Sequence, residues 1–117
     1  MSSPEIFFEE KGNPALPKTV FLHGLLGSSR NWRSVCKSLS EESHTFALDL
    51  RNHGKSFHSE NSSISDMADD LLRWLDEMSL QSVALCGHSL GGKVAMRFAC
   101  DHPERIDKLV VADIAPR

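Results

Sequence analysis

The sequence predicts an α/β fold, a mostly parallel sheet with helices on both faces. Three observations carry that prediction. The apolar runs VFL (20–22), FALDL (46–50), VALC (83–86) and LVVA (109–112) have the continuous hydrophobicity of strands buried on both sides. Segments of 3.6-residue periodicity stand between them, so strand and helix alternate as in βαβ units. His23, Asp49, Ser89 and Asp113 all fall at strand C-terminal ends, the edge where open α/β sheets bind ligands.

Taken in order, Ile6 to Glu9 reads as a short edge strand, and the Gly- and Pro-bearing stretch Lys11 to Pro17 as a turn. Thr19 to Leu22 is the first buried strand. Ser28 or Ser29 caps a helix with Trp32, Val35, Cys36 and Leu39 at i, i+3, i+4 and i+7, an inward-facing stripe. Thr45 to Leu50 is the next strand, followed by a loop over Arg51 to Ser56. Ser65 caps a helix with Ala68, Leu71, Leu72 and Leu75 on one face and Asp66, Asp69 and Asp70 in its favourable first turns. Ser82 to Cys86 is a strand that runs into Gly87. A helix opening near Leu90 turns Val94, Ala95, Phe98 and Ala99 inward and stops before Pro103. Lys108 to Ala112 is the last strand.

The chain has 117 residues, enough for one domain. It is 40% hydrophobic and 25% charged, ordinary globular usage. Thirteen Lys and Arg against sixteen Asp and Glu give a net charge of −3, with no basic cluster, so neither nucleic acid nor an anionic membrane is expected as a partner. Three cysteines in apolar segments read as buried reduced thiols, and no C-x-x-C or H-E-x-x-H spacing indicates a metal. Met1 to Glu10 has neither a basic n-region nor a long apolar run. The expectation is therefore no secretory signal, no transit peptide and no membrane span, hence an intracellular protein.

The chemistry lies in Gly87-His88-Ser89-Leu90-Gly91, a G-x-S-x-G segment between an apolar strand and an amphipathic helix. A sharp strand-to-helix turn strains the central residue and projects its side chain from the sheet edge. Residues two away on either side would collide if they carried a Cβ, so both are glycine. With Gly and Ser at roughly 7% of residues each, chance would supply this pattern about 0.04 times in such a chain. The competing reading is a glycine-rich turn that only closes a packed unit; a P-loop is ruled out by spacing. The expected nucleophile is Ser89, at a helix N-terminus, with Leu90 N–H as one oxyanion donor. In His23-Gly24-Leu25-Leu26-Gly27, Leu25 N–H is the expected second donor. Asp113 either orients a histidine or caps a turn before Pro116. Asp49 reads as structural, because a tight turn follows it. None of the six histidines is a good base for Ser89: His23 is expected to hydrogen-bond loop backbone, and His88 to point away from the serine.

HGLLGSSRNW, DLRNHGKS, GHSLGGK and DIAP resemble the small esterases and thioesterases of the α/β-hydrolase superfamily, among them bacterial carboxylesterases and mitochondrial hydrolases that share the RNHG loop. The resemblance spans Thr19 to Pro116. It implies Ser89 as nucleophile, Leu25 and Leu90 as oxyanion donors, and either Asp113 or a residue past Arg117 as the acid. It also implies a mitochondrial location as one alternative. Members continue with a helical cap, two more strands and a last helix, and the loop after the final strand carries the histidine. Residues 1–117 therefore read as a partial α/β-hydrolase domain lacking cap and base. The expected activity is hydrolysis of small-molecule carboxylic esters or thioesters through an acyl-serine, with no cofactor. The alternative is an inactive remnant that serves as an interaction or regulatory module. The last strand, left at an edge, is expected to promote self-association.

Overall fold

Five strands form one mixed sheet in the order β1-β3-β2-β4-β5. The computed structural model of the chain describes residues 5–112. The strands are β1 (Phe8–Lys11), β2 (Lys18–Leu22), β3 (His44–Leu48), β4 (Val83–His88) and β5 (Ile106–Ala112); the helices are α1 (Arg33–Leu39), α2 (Ile64–Glu77) and α3 (Leu90–Asp101). Only β1 runs antiparallel, on β3; the β3-β2, β2-β4 and β4-β5 pairs are all parallel. The expected edge strand thus begins two residues later than its hydrophobic run suggests.

The sheet has apolar layers on both faces, as parallel strands require. On one face Val20, Leu22, Phe46, Leu48, Val83 and Leu85 meet α2 and α3 through Leu71, Trp74, Leu75, Val94 and Phe98. On the other face, Phe21 and Ala47 pack on Cys36 of α1, with Trp32, Leu39 and Cys86 around them. α1 covers the β3 side of that second face. Beyond it β5 forms the sheet edge, with Leu109 39%, Val110 49% and Val111 38% exposed.

Three sequence expectations are corrected here. The helix expected from Ser28 or Ser29 is split into a 3-10 turn, Ser29–Trp32, and the seven-residue α1. Cys36 faces inward with Trp32 and Leu39 packed beside it, whereas Val35, at the margin of that stripe, is 39% exposed. The cap of α2 lies two residues before Ser65, at Ser63: Ser63 Oγ accepts from Asp66 N–H at 3.0 Å, and the Asp66 carboxylate closes a capping box. Of the three thiols, Cys36 is buried, Cys86 is half-buried and Cys100 is exposed; all are free.

Candidate active site

Ser89 sits between β4 and α3 at φ 53°, ψ −111°, exposed at the C-terminal edge of the sheet. That backbone region is sparsely populated for residues with a side chain, and the surroundings hold it. Ser89 N–H donates to Ala112 O at 3.1 Å, and Ser89 O accepts from Lys93 N–H at 3.1 Å. The glycines fit as the sequence requires. A Cβ on Gly87 would fall on the Gly91 carbonyl, and one on Gly91 would fall on Leu22 O and lie 2.6 Å from His23 O. These contacts are backbone on both sides, so nothing can swing away.

β2 and β4 are parallel neighbours with Leu22 opposite Gly87. In this register Leu25 and Leu90 each lie three residues past the last paired position, on adjacent strand ends. Among the described residues, no acceptor takes the N–H of Leu25 or of Leu90. The Gly24–Gly27 turn closes through Gly27 N–H to Gly24 O at 3.0 Å and displays Leu25 and Leu26, 69% and 90% exposed. Leu26 has φ 63°, a left-handed conformation for an apolar residue.

The histidines divide as their positions suggest. His23 is buried, and both ring nitrogens are engaged. Leu50 N–H donates to Nε2 at 2.9 Å, so the proton is on Nδ1, which donates to Gly24 O at 2.7 Å. Burial pushes its pKa below the usual histidine value, against a partial upward pull from the Gly24 bond. His53 Nδ1 bonds Arg51 O at 2.8 Å. His88 is half-buried beside Gly24, and a Cβ on Gly24 would lie 2.9 Å from its Nδ1. No histidine among the described residues hydrogen-bonds Ser89. Asp113 lies outside the described residues, immediately after the Ala112 carbonyl that binds Ser89 N–H.

Asp49 is structural, as expected. It is 2% exposed; Oδ1 accepts from Ser29 N–H at 2.6 Å and Oδ2 from Lys55 N–H at 2.8 Å. It thereby ties the start of the 3-10 turn to the Arg51–Ser56 loop, whose Ser56 Oγ donates to Asp49 O at 2.6 Å. The buttress beneath that loop escaped the sequence reading. Arg51 makes a two-pronged pair with Asp70 at 2.6 and 2.7 Å and donates to Asn61 O at 2.6 Å. The signal was present, because Asp70 shares the helical face of Met67, Leu71 and Trp74, all buried.

Beside the Leu25–Leu26 turn lies a cleft of about 470 Å³, walled by those two leucines, Trp32, Val35 and His88. Among the described residues no group of three or more His, Cys, Asp or Glu is placed to hold a metal, and no helix is long and apolar enough to cross a membrane.

Fold and elbow together define a parallel α/β protein whose central strand ends in a G-x-S-x-G turn. The chain belongs to the α/β-hydrolase fold family, whose model matches residues 20–116. It is 42% identical over 107 residues to the sn-1-specific diacylglycerol lipase ABHD11 of Mus musculus, covering 90% of this chain and 35% of that protein. It is 41% identical over 99 residues to ethanol acetyltransferase 1 of Kluyveromyces marxianus, covering 83% and 27%. A solved structure titled marine microorganism esterase superposes with TM-score 0.92 and 44% identity, over 97% of this chain and 43% of that one. The chain thus spans between about a quarter and two fifths of the length of the curated relatives it matches.

Proposed function

We propose that this chain carries the nucleophile half of a serine hydrolase acting on small-molecule carboxylic esters or thioesters. The observation that carries the reading is Ser89 held at φ 53° between two glycines that cannot bear a Cβ, exposed at the sheet edge. The names of the relatives, a diacylglycerol lipase and an ethanol acetyltransferase, both describe acyl chemistry and support the same reading.

In this reading Ser89 Oγ attacks the substrate carbonyl carbon as its proton passes to a base. The carbonyl oxygen becomes an oxyanion between the Leu25 and Leu90 amides, whose N–H groups have no other acceptor here. The start of α3 adds its positive end. Collapse expels the alcohol or thiol and leaves an acyl-serine, which water then hydrolyses. The base is a histidine beyond the described residues, oriented by Asp113 or by an acid past it; His23, with both nitrogens committed, is not that base.

The test is turnover of an activated ester. Without its base the 117-residue chain should run roughly 10³ to 10⁶ slower than a complete esterase, with the remainder coming from binding and the oxyanion donors, so Ser89→Ala should change it little. Turnover equal to a complete enzyme would overturn the assignment.

A further inference from the structure

We propose that the hollow between the 3-10 turn and the Arg51–Ser56 loop is a binding site for a phosphate group, held by Arg30, Arg33 and Lys55; the inference stands apart from the hydrolase reading. The sequence shows no basic cluster, and the fold makes one by setting residue 55 against residues 30 and 33. The hollow has a volume of about 360 Å³, within the range of small-ligand sites. Its two carboxylates, Glu9 and Asp49, are already engaged. Arg33 Nε donates to Glu9 Oε1 at 2.8 Å and Nη2 to Oε2 at 2.5 Å, which leaves Nη1 without an acceptor among the described residues. Asp49 accepts from the Ser29 and Lys55 N–H groups. Three cations therefore face two engaged acids, and among the described residues no acid pairs with Arg30 or Lys55. Lys55 Nζ lies 4.9 Å from the centre of the Phe7 ring, itself part of the wall, which keeps the ammonium at the hollow. Ser29, a wall residue 1% exposed, has a hydroxyl with no hydrogen-bond partner among the described residues, a buried donor left over beside the cations. A phosphate group brings three acceptor oxygens and about two negative charges, enough to be shared between two guanidiniums and an ammonium; a carboxylate brings fewer of both. A second hollow, walled by Leu26, Gly27, Asn31 and Arg30 among others, joins the site to the cleft beside Leu25. The phosphate can therefore be free or carried by a substrate whose ester lies at Ser89.

Amide chemical shifts read the site without any chemistry at Ser89. Titration of the 117-residue chain with inorganic phosphate should move the Ser29, Arg30 and Lys55 amide signals along one saturable curve, and acetate should bind more weakly. Arg30 and Lys55 are exposed, so Arg30→Gln and Lys55→Gln leave the core untouched. Each should raise the Kd about tenfold, the loss of one hydrogen bond to a charged group. Arg97→Gln, which removes an exposed cation of α3 outside this wall, should leave the Kd unchanged. Glycerol 3-phosphate and 1-acetylglycerol 3-phosphate separate the two sources. Tighter binding of the acetyl ester than of inorganic phosphate, with shifts that extend to Leu25 and Leu26, places the phosphate on the substrate; inorganic phosphate bound as tightly as either assigns the site to free phosphate. Absence of saturation, equal affinity for acetate, a Kd unchanged in both Arg30→Gln and Lys55→Gln, or an equal loss in Arg97→Gln would overturn the proposal. Phosphate binding with an inert Ser89 would sink the hydrolase reading and leave the site; a probe-reactive Ser89 without phosphate binding would do the reverse.

Discussion

Replacing Asp49 by alanine should remove the tie between the 3-10 turn and the Arg51–Ser56 loop. The carboxylate is 2% exposed and accepts two backbone N–H bonds, from Ser29 at 2.6 Å and Lys55 at 2.8 Å. Alanine leaves both donors without a partner, at about 1–3 kcal/mol for the buried Ser29 N–H and less for the part-buried Lys55 N–H, so about 1–4 kcal/mol in all. Against a typical domain stability of about 5–15 kcal/mol, that is a large fraction. Asp49→Asn keeps the shape and one acceptor but turns an NH₂ toward the second N–H, so its loss should be about half as great. Urea unfolding followed by far-UV circular dichroism measures both, with the denaturant slope unchanged if only the native state is affected. A loss below about 1 kcal/mol in the alanine variant, or wild-type stability in the asparagine variant, would refute the account of this junction.

Other outcomes follow from the same geometry. Gly91→Ala should abolish Ser89 reactivity or unfold the elbow, since its Cβ would fall on two carbonyls of the β2 end; normal labelling and stability would show that the turn can relax. Stability should fall as pH drops below about 6.5, because the unfolded chain takes up a proton there while buried His23, its pKa lowered, does not. That slope should be flat above pH 7 and reduced in His23→Gln, as read by urea midpoints between pH 7 and 5. The isolated chain should self-associate through β5, whose apolar residues 109–111 lie exposed at the sheet edge. Light scattering that gives a monomer, with slow amide exchange in β5, would contradict this.

The mostly parallel sheet and the elbow were legible in the sequence because each rests on local pattern; the strand order was not, since it pairs segments far apart in the chain. Continuous apolar runs mark strands buried on both faces, and Gly87 and Gly91 answer a steric demand met within five residues. The structural role of Asp49 was legible from the turn behind it. Val35 was misread because it lies at the margin of an apolar stripe whose centre, Cys36 with Trp32 and Leu39, does face inward, and periodicity alone does not say how wide the covered face is. The cap at Ser63 was written in the Ser63-x-x-Asp66 spacing, but Ser65 lies nearer the apolar run. Asp70 reads as a dipole-stabilised surface acid until the fold brings Arg51 from 19 residues away to pair with it. The cleft is legible in neither way, since its wall joins the turn after β2, the start of α1 and the end of β4.

The central claim is that Ser89 is the nucleophile, and site mapping of a fluorophosphonate adduct tests it most directly. The chain is incubated with the probe to completion, digested, and the modified residue located by tandem mass spectrometry. The account predicts a single adduct on Ser89, absent from Ser89→Ala. An adduct on any other residue, or none after prolonged exposure of the folded chain, would contradict it.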